Sequence, residues 1–208
     1  MKIVSLLSSM LLALALTIAS ASANLLTNSG FETGDFTGWS NSGFSGVNTF
    51  SAHSGNFGAY MGLTEVDTVV SQNINTTAGS LYDVSFFLQA FTPKSQSHTN
   101  ALGGFGTNFQ VFWNGTLIFN LIGGDSFSYT QYGFTNLAAT GSTTTLSFVY
   151  NFSSDASIEG GGGSLIYNLD DVSVNAAAVG VPESLSTLWL LGPAAGMLLA
   201  PRRRRQVA

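Results

Sequence analysis

Phe109-Gln110-Val111-Phe112-Trp113-Asn114-Gly115-Thr116-Leu117-Ile118-Phe119 is the stretch that decides the fold. Phe109, Val111 and Trp113 alternate with Gln110, Phe112 and Asn114, the period-2 pattern of a half-buried strand. Asn114-Gly115 supplies a tight two-residue turn, and a second apolar strand begins at Thr116. The same alternation recurs on both sides. Tyr82, Val84, Phe86 and Leu88 alternate with Asp83, Ser85 and Phe87, and Leu146, Phe148, Tyr150 and Phe152 mark another strand. Leu169 to Val174 forms the last, with Asp170, Val172 and Val174 expected on one face. Shorter candidates lie at 58–62, 68–74 and 127–134. Seven to nine strands separated by Gly, Asn and Ser turns predict an all-β, antiparallel β-sandwich. Lys, Arg and Glu are scarce here, whereas Phe, Thr, Val and Tyr are plentiful. Most of the 16 Phe residues belong to the core on this reading. Residues 92–106 and Gly160 to Gly163 read as loops.

Two apolar segments bracket the sheet region. Lys2 precedes an apolar run from Ile3 to Ile18, and Ala21-Ser22-Ala23 is the small-x-small pattern that a signal peptidase cuts. Residues 1–23 are therefore expected to be a secretory signal peptide cleaved between Ala23 and Asn24. At the other end, Val181-Pro182-Glu183-Ser184 precedes an almost wholly apolar run from Leu185 to Ala200, and Arg202, Arg203, Arg204 and Arg205 follow. Such a run spans roughly 24 Å as a helix, a little less than a hydrocarbon core, and snorkelling arginine stems can make up the difference. The arginines should stay cytoplasmic, with everything before them across the membrane. The expected division is thus 1–23, a single β-sandwich domain over 24–175, a short spacer at 176–180, and a sorting segment over 181–208 with its transmembrane helix at 185–200.

Charge narrows the partners. Between residues 24 and 180, Lys94 is the only Lys or Arg, and it faces ten carboxylates: Glu32, Asp35, Glu65, Asp67, Asp83, Asp125, Asp155, Glu159, Asp170 and Asp171. The formal charge of that segment is −9. Nucleic acid is excluded as a partner, because phosphate binding needs a basic surface. Divalent cations and neutral polymers are easier to accommodate. The chain has no cysteine, so disulfides, thiol chemistry and Cys metal sites are excluded as well.

The two termini resemble a known device. A signal peptide paired with Val181-Pro182-Glu183, an apolar run and an Arg cluster is similar to the PEP-CTERM sorting signal of Gram-negative bacteria. The family usually has Pro after the Glu, where this chain has Ser184. The resemblance implies processing by signal peptidase and then by an exosortase cutting near Pro182-Glu183. The passenger would reach the cell surface or the extracellular polysaccharide matrix. Without exosortase recognition it would stay anchored in the inner membrane, with its domain in the periplasm.

The passenger carries a second resemblance. Asn24-Leu25-Leu26-Thr27-Asn28-Ser29-Gly30-Phe31-Glu32-Thr33-Gly34, with Trp39 soon after, is similar to the opening of carbohydrate-binding-module-type jelly rolls with a galactose-binding-like topology. Ser54-Gly55, then Gln72 followed by Gly79 and Tyr82, and the closing Leu169 to Val174 fall in the family's order. The resemblance implies a jelly-roll sandwich and a structural Ca2+ that pins the chain ends. Its side-chain ligands would be Glu32 and Asp170, supplemented by carbonyls from residues 52–55. The plain alternative is that Glu32 caps a turn and the two aspartates form a solvated strand end.

Trp39, Trp113, Phe112, Phe87 and Tyr150 are the aromatic candidates for stacking on sugar rings, with Gln110 and Asn114 as amide neighbours. Phe87 and Phe112 stand out because each occupies the outward register of its strand; Trp39 reads better as core. Catalysis finds no support. His53 and His98 lie in Ser/Gly/Asn-rich loops, and no G-x-S-x-G, H-E-x-x-H or phosphate-binding glycine motif occurs. The expected role is a non-catalytic surface or matrix protein that contacts extracellular polysaccharide. The competing reading is a structural protein that binds itself or other proteins.

Overall fold

The computed structural model describes residues 23–62, 66–91, 106–122, 126–153 and 165–178. Its strands lie in one compact unit that ends at Ala177. The signal peptide before Ala23, the sorting signal, the transmembrane run and the Arg cluster lie outside the described residues, as do Lys94, His98 and Gly160 to Gly163. Among the described residues no helix is long and apolar enough to cross a membrane.

The domain is an all-β sandwich of two five-stranded antiparallel sheets. In chain order its strands are β1 (Ser40–Ser42), β2 (Ser45–Asn48), β3 (Gly58–Gly62), β4 (Thr68–Asn75), β5 (Leu81–Phe91), β6 (Gly106–Trp113), β7 (Thr116–Ile122), β8 (Phe127–Ala138), β9 (Thr143–Ser153) and β10 (Ile166–Ala176). The first sheet runs β1-β4-β9-β6-β7 and the second β2-β3-β10-β5-β8. All the strands read from alternation are present. β1 and β2 are additional, because three- and four-residue Ser/Gly/Asn strands have no periodicity to read.

The inward registers supply the core. Phe109 and Val111 of β6, Leu146, Phe148 and Tyr150 of β9, Val84, Phe86 and Leu88 of β5, and Tyr167 and Leu169 of β10 are buried between the sheets. Burying each such side chain contributes about 1.5–3 kcal/mol. The β6–β7 hairpin turns as expected: Asn114 and Gly115 have φ of 49° and 79°, and Trp113 pairs with Thr116. The two ends of the domain also meet. Leu25 donates its N–H to the Val174 carbonyl at 2.8 Å, and Val172 donates to Ser29 at 3.0 Å.

One expectation fails in β10. Asp170 pairs with Phe87 but Ser173 pairs with Ser85, so Asp171 and Val172 together stand opposite Phe86. This is a β-bulge, with Asp171 in the left-handed region at φ 48°. The extra residue reverses the alternation. Leu169 and Val174 face the core beside Leu88 and Val84, while Asp170 lies on the outer face beside Phe87. Asp170 therefore does not share a face with Val174.

Candidate functional site

The outer face of the second sheet carries an aromatic cleft. Tyr60 of β3, Asn168 of β10 and Gln89 of β5 form one row across it. Gly46 lies opposite Tyr60 in β2, and a Cβ there would come within 2.4 Å of the Tyr60 hydroxyl. The glycine thus lets the tyrosine ring lie over the neighbouring strand. Phe44 packs on that ring with centroids 6.0 Å apart. After β2 the chain makes a 3-10 turn, Thr49–Ser51, capped by Asn48, whose Oδ1 accepts from Phe50 N and Ser51 N at 2.9 Å. The turn lifts Phe50 clear of the sheet, leaving it 93% exposed. Ser51 Oγ donates to Asn168 Oδ1 at 3.0 Å, Asn168 Nδ2 donates to Gln89 Oε1 at 2.9 Å, and the Tyr129 hydroxyl donates to the Ser51 carbonyl. Phe91 and Ile166, a cross-strand pair, close one end. The result is a cleft of about 350 Å³, lined by Phe44, Phe50, Tyr60, Phe91 and Ile166 with Asn48, Ser51 and Asn168, and carrying no charged side chain.

Carboxylates hold the loop behind the cleft. Asp170 Oδ2 accepts from the backbone N–H groups of His53 and Ser54 at 2.7 and 3.1 Å, and its Oδ1 accepts from Asp171 N at 2.7 Å. Asp171 Oδ2 lies 2.7 Å from His53 Nδ1, and its Oδ1 accepts from Ser54 Oγ at 2.8 Å. Glu32 accepts from Asn56 N at 3.0 Å and from Phe57 N at 3.1 Å. Gly55 makes room for it, since a Cβ there would stand 2.3 Å from Glu32 Oε1. Burial pushes the Asp170 carboxyl up to about 6, against the lowering effect of its three N–H donors. The Phe57 and Asn56 N–H groups hold Glu32 below the usual range.

A hard cation needs six to eight oxygens around one point. Among the described residues no three His, Cys, Asp or Glu side chains are gathered in that way. Around Gly30, Asp170 Oδ1 and Asp171 Oδ1 stand 3.6 and 3.7 Å from the position a Cβ would take, but the nearby Glu32 atom, at 3.8 Å, is the aliphatic Cγ, and the Glu32 carboxylate lies against Gly55 instead. The aspartate pair suits calcium chemically, but the Glu32 carboxylate does not stand with it in one cluster, and backbone N–H groups occupy much of the carboxylate surface.

The expected aromatic platform is not one surface. Trp113 is 3% exposed, packs on Tyr82 and donates its Nε1–H to the Ala138 carbonyl, which removes it as a sugar-stacking residue. Its strand places it inward, and only Phe112 keeps the outward register. Tyr150 is buried too, and Trp39 is core against Phe31 and Phe148. Phe87 is half-buried on the second sheet with the His53 ring stacked on it at 3.8 Å, so that face is already covered. Phe112 is half-buried on the first sheet, two residues from Gln110, whose Oε1 accepts from Asn151 Nδ2 at 2.7 Å. The two phenylalanines look out from opposite sheets. Phe44, Phe50, Tyr60 and Phe91 escape a strand-by-strand reading because four separate segments contribute them. The one local signal is a Phe two residues after Asn48, in a turn where a buried role is unavailable.

No family model matches the chain, and no curated protein matches it. Among solved structures, it is similar to TmCBM61 in complex with β-1,4-galactotriose, with a TM-score of 0.51 and 21% identity over 74% of this chain and 99% of that one. The fold is a carbohydrate-binding-module-like jelly roll. Lesser likenesses are to the Family 16 Carbohydrate Binding Module-2, at a TM-score of 0.43 and 17% identity over 73% of this chain and 99% of that one. The carbohydrate-binding module CBM36 in complex with calcium and xylotriose follows, at 0.40 and 11% over 68% and 97%.

Proposed function

We propose that this domain is a non-catalytic binding module for a neutral polysaccharide, which it takes in the aromatic cleft of the second sheet. The observation that carries the reading is the lining itself. Aromatic faces complement the C–H faces of pyranose rings, the Asn48 Nδ2 and the half-buried Tyr60 hydroxyl offer polar partners for sugar hydroxyls, and no charge has to be desolvated. The volume suits a short run of sugar units. The best-placed carboxylates, Glu32 and Asp170, spend their oxygens on holding backbone N–H groups, which is the work of a scaffold rather than of a glycosidase acid–base pair. The similar TmCBM61 structure holds a galactotriose, and that precedent supports the class of ligand.

The domain is delivered outside the inner membrane. Signal peptidase removes residues 1–23, and an exosortase acting near Pro182-Glu183 releases the domain to the surface or the extracellular matrix. A structural calcium is a second element of this reading, favoured by the two aspartate oxygens beside Gly30. Asp170 and Asp171 would hold it, with Glu32 joining only by leaving its N–H donors, and its chemistry would be charge neutralisation where the two ends of the domain meet.

The test is retention on a panel of neutral and acidic polysaccharides, for the wild type and Phe50→Ala. An exposed anchor of this kind is worth about 2 kcal/mol, so the variant should bind roughly 30-fold more weakly to its best neutral ligand with an unchanged melting midpoint. Retention on no polysaccharide, or equal retention by the variant, would sink the cleft as the sugar site.

A further inference from the structure

The two sides of the sandwich treat their exposed strand edges in opposite ways. On one side the edge strands are β1 and β2, three and four residues long, and such short edges offer little to pair with. On the other side they are β7 and β8, seven and twelve residues long. Neither contains a charged residue or a proline, in a domain that carries −9 elsewhere. β8 is interrupted by two register shifts against β5, at Tyr82/Val84 and Leu88/Ala90, and bulges of this kind twist an edge away from a partner. β7 has a single shift, which sets Ile118 out of step, and runs regularly from Phe119 to Ile122. Its Leu117 and Ile122 are 46% and 58% exposed. Among the described residues no strand pairs with its outer side.

We infer that β7 is the edge through which a second copy of this chain binds, by antiparallel β7–β7 pairing that continues the first sheet across a two-fold axis. Antiparallel pairing of a strand with itself is isologous, so the same seven residues supply both halves and no foreign sequence is needed. Electrostatics favours this edge over other surfaces. Two domains of like charge repel, and they approach most easily through a stretch that carries none. The exposed Leu117 and Ile122 side chains would then cover each other on the outer face. The cleft lies on the other sheet, so pairing leaves it open, and one dimer offers two binding sites to a polymer.

The absence of cysteine makes a clean test. Single-cysteine chains, Leu117→Cys, Asn120→Cys and Ile122→Cys, would be prepared full length in detergent micelles beside Asn41→Cys on β1, and mildly oxidised. With the two-fold axis on Asn120, in the regular stretch of β7, Asn120 meets its own copy, so covalent dimer should form through Asn120→Cys in at least tenfold higher yield than through Asn41. Adding a charge, as in Leu117→Lys within the Asn120→Cys chain, should cut that yield at least fivefold. Phe50→Ala should leave it unchanged, which separates this inference from the sugar site. Equal yields through β7 and β1, or indifference to the added lysine, would overturn it.

Discussion

Asp170 is fully buried, yet it sits on the outer face of its sheet, where a strand residue would ordinarily meet water. The loop over it supplies N–H donors instead of solvent, and the carboxyl is still pushed up to about 6. A folded-state value above the unfolded one means that the native protein binds the extra proton between about pH 4 and pH 6. Stability from this group is therefore present at acid pH and lost as pH rises through 6. The span corresponds to roughly 3 kcal/mol at most. In chelator, the melting midpoint of the wild type should gain on that of Asp170→Asn when pH falls from 7.5 to 5, because the asparagine cannot take up the proton. Glu32, held low by its N–H donors, contributes in the opposite sense, and only under stronger acid. Calcium, if it sits among these carboxylates, should raise the wild-type midpoint at pH 7.5 and leave Asp170→Asn unmoved. Equal wild-type midpoints in calcium and in chelator would remove the metal from the reading. The sequence led to Asp170 through a family resemblance. The strand pattern pointed to the wrong face for it, because a bulge changes alternation without changing composition.

At the scale of elements, the β6–β7 hairpin and the segment from Asn48 to Phe57 are opposites. The turn of the hairpin was legible, because Asn114-Gly115 satisfies the two positive φ angles that it requires, although the bulge that sets Ile118 out of step was not. Replacing Gly115 by Ala puts a Cβ on a residue at φ 79° with nothing within 4 Å to clash with, so the cost should be backbone strain alone, about 1 kcal/mol. A chemical denaturation midpoint that drops with unchanged slope would show it, whereas no drop would mean that the turn relaxes. The 48–57 segment was not legible. Its geometry depends on Glu32 from far upstream and Asp170 from far downstream, and neither dependence leaves a periodic trace. The opening motif was recognised without its reasons. Asn28 caps the turn by accepting from Thr33 N, Phe31 fills the core at φ 56°, and Gln72 exchanges two hydrogen bonds with Thr27.

For the whole molecule, the architecture followed from strand count and turn chemistry, while the cleft depended on how distant strands are ordered. Phe44, Tyr60, Phe91 and Ile166 become neighbours only because β3 and β5 flank β10. The export reading rests on sequence alone and makes its own prediction. Mass spectrometry of the surface or culture-medium fraction should find a chain that begins at Asn24 and lacks Arg202 to Arg205. A surface product still carrying those arginines would contradict sorting by cleavage.

The β10 strand also has a mechanical meaning. It contributes Asn168 to the cleft and then runs directly to Ala176, where the domain ends. A polymer held in the cleft would load β2, β3, β5 and β10 together, and a pull on the chain beyond Ala176 would reach them through β10. β10 is bonded on both sides, to β3 and β5, and Asn24 adds a clip near its end by accepting from Val174 N and donating to the Val172 carbonyl. Pulled lengthwise, those bonds would be loaded together in shear and not opened one by one.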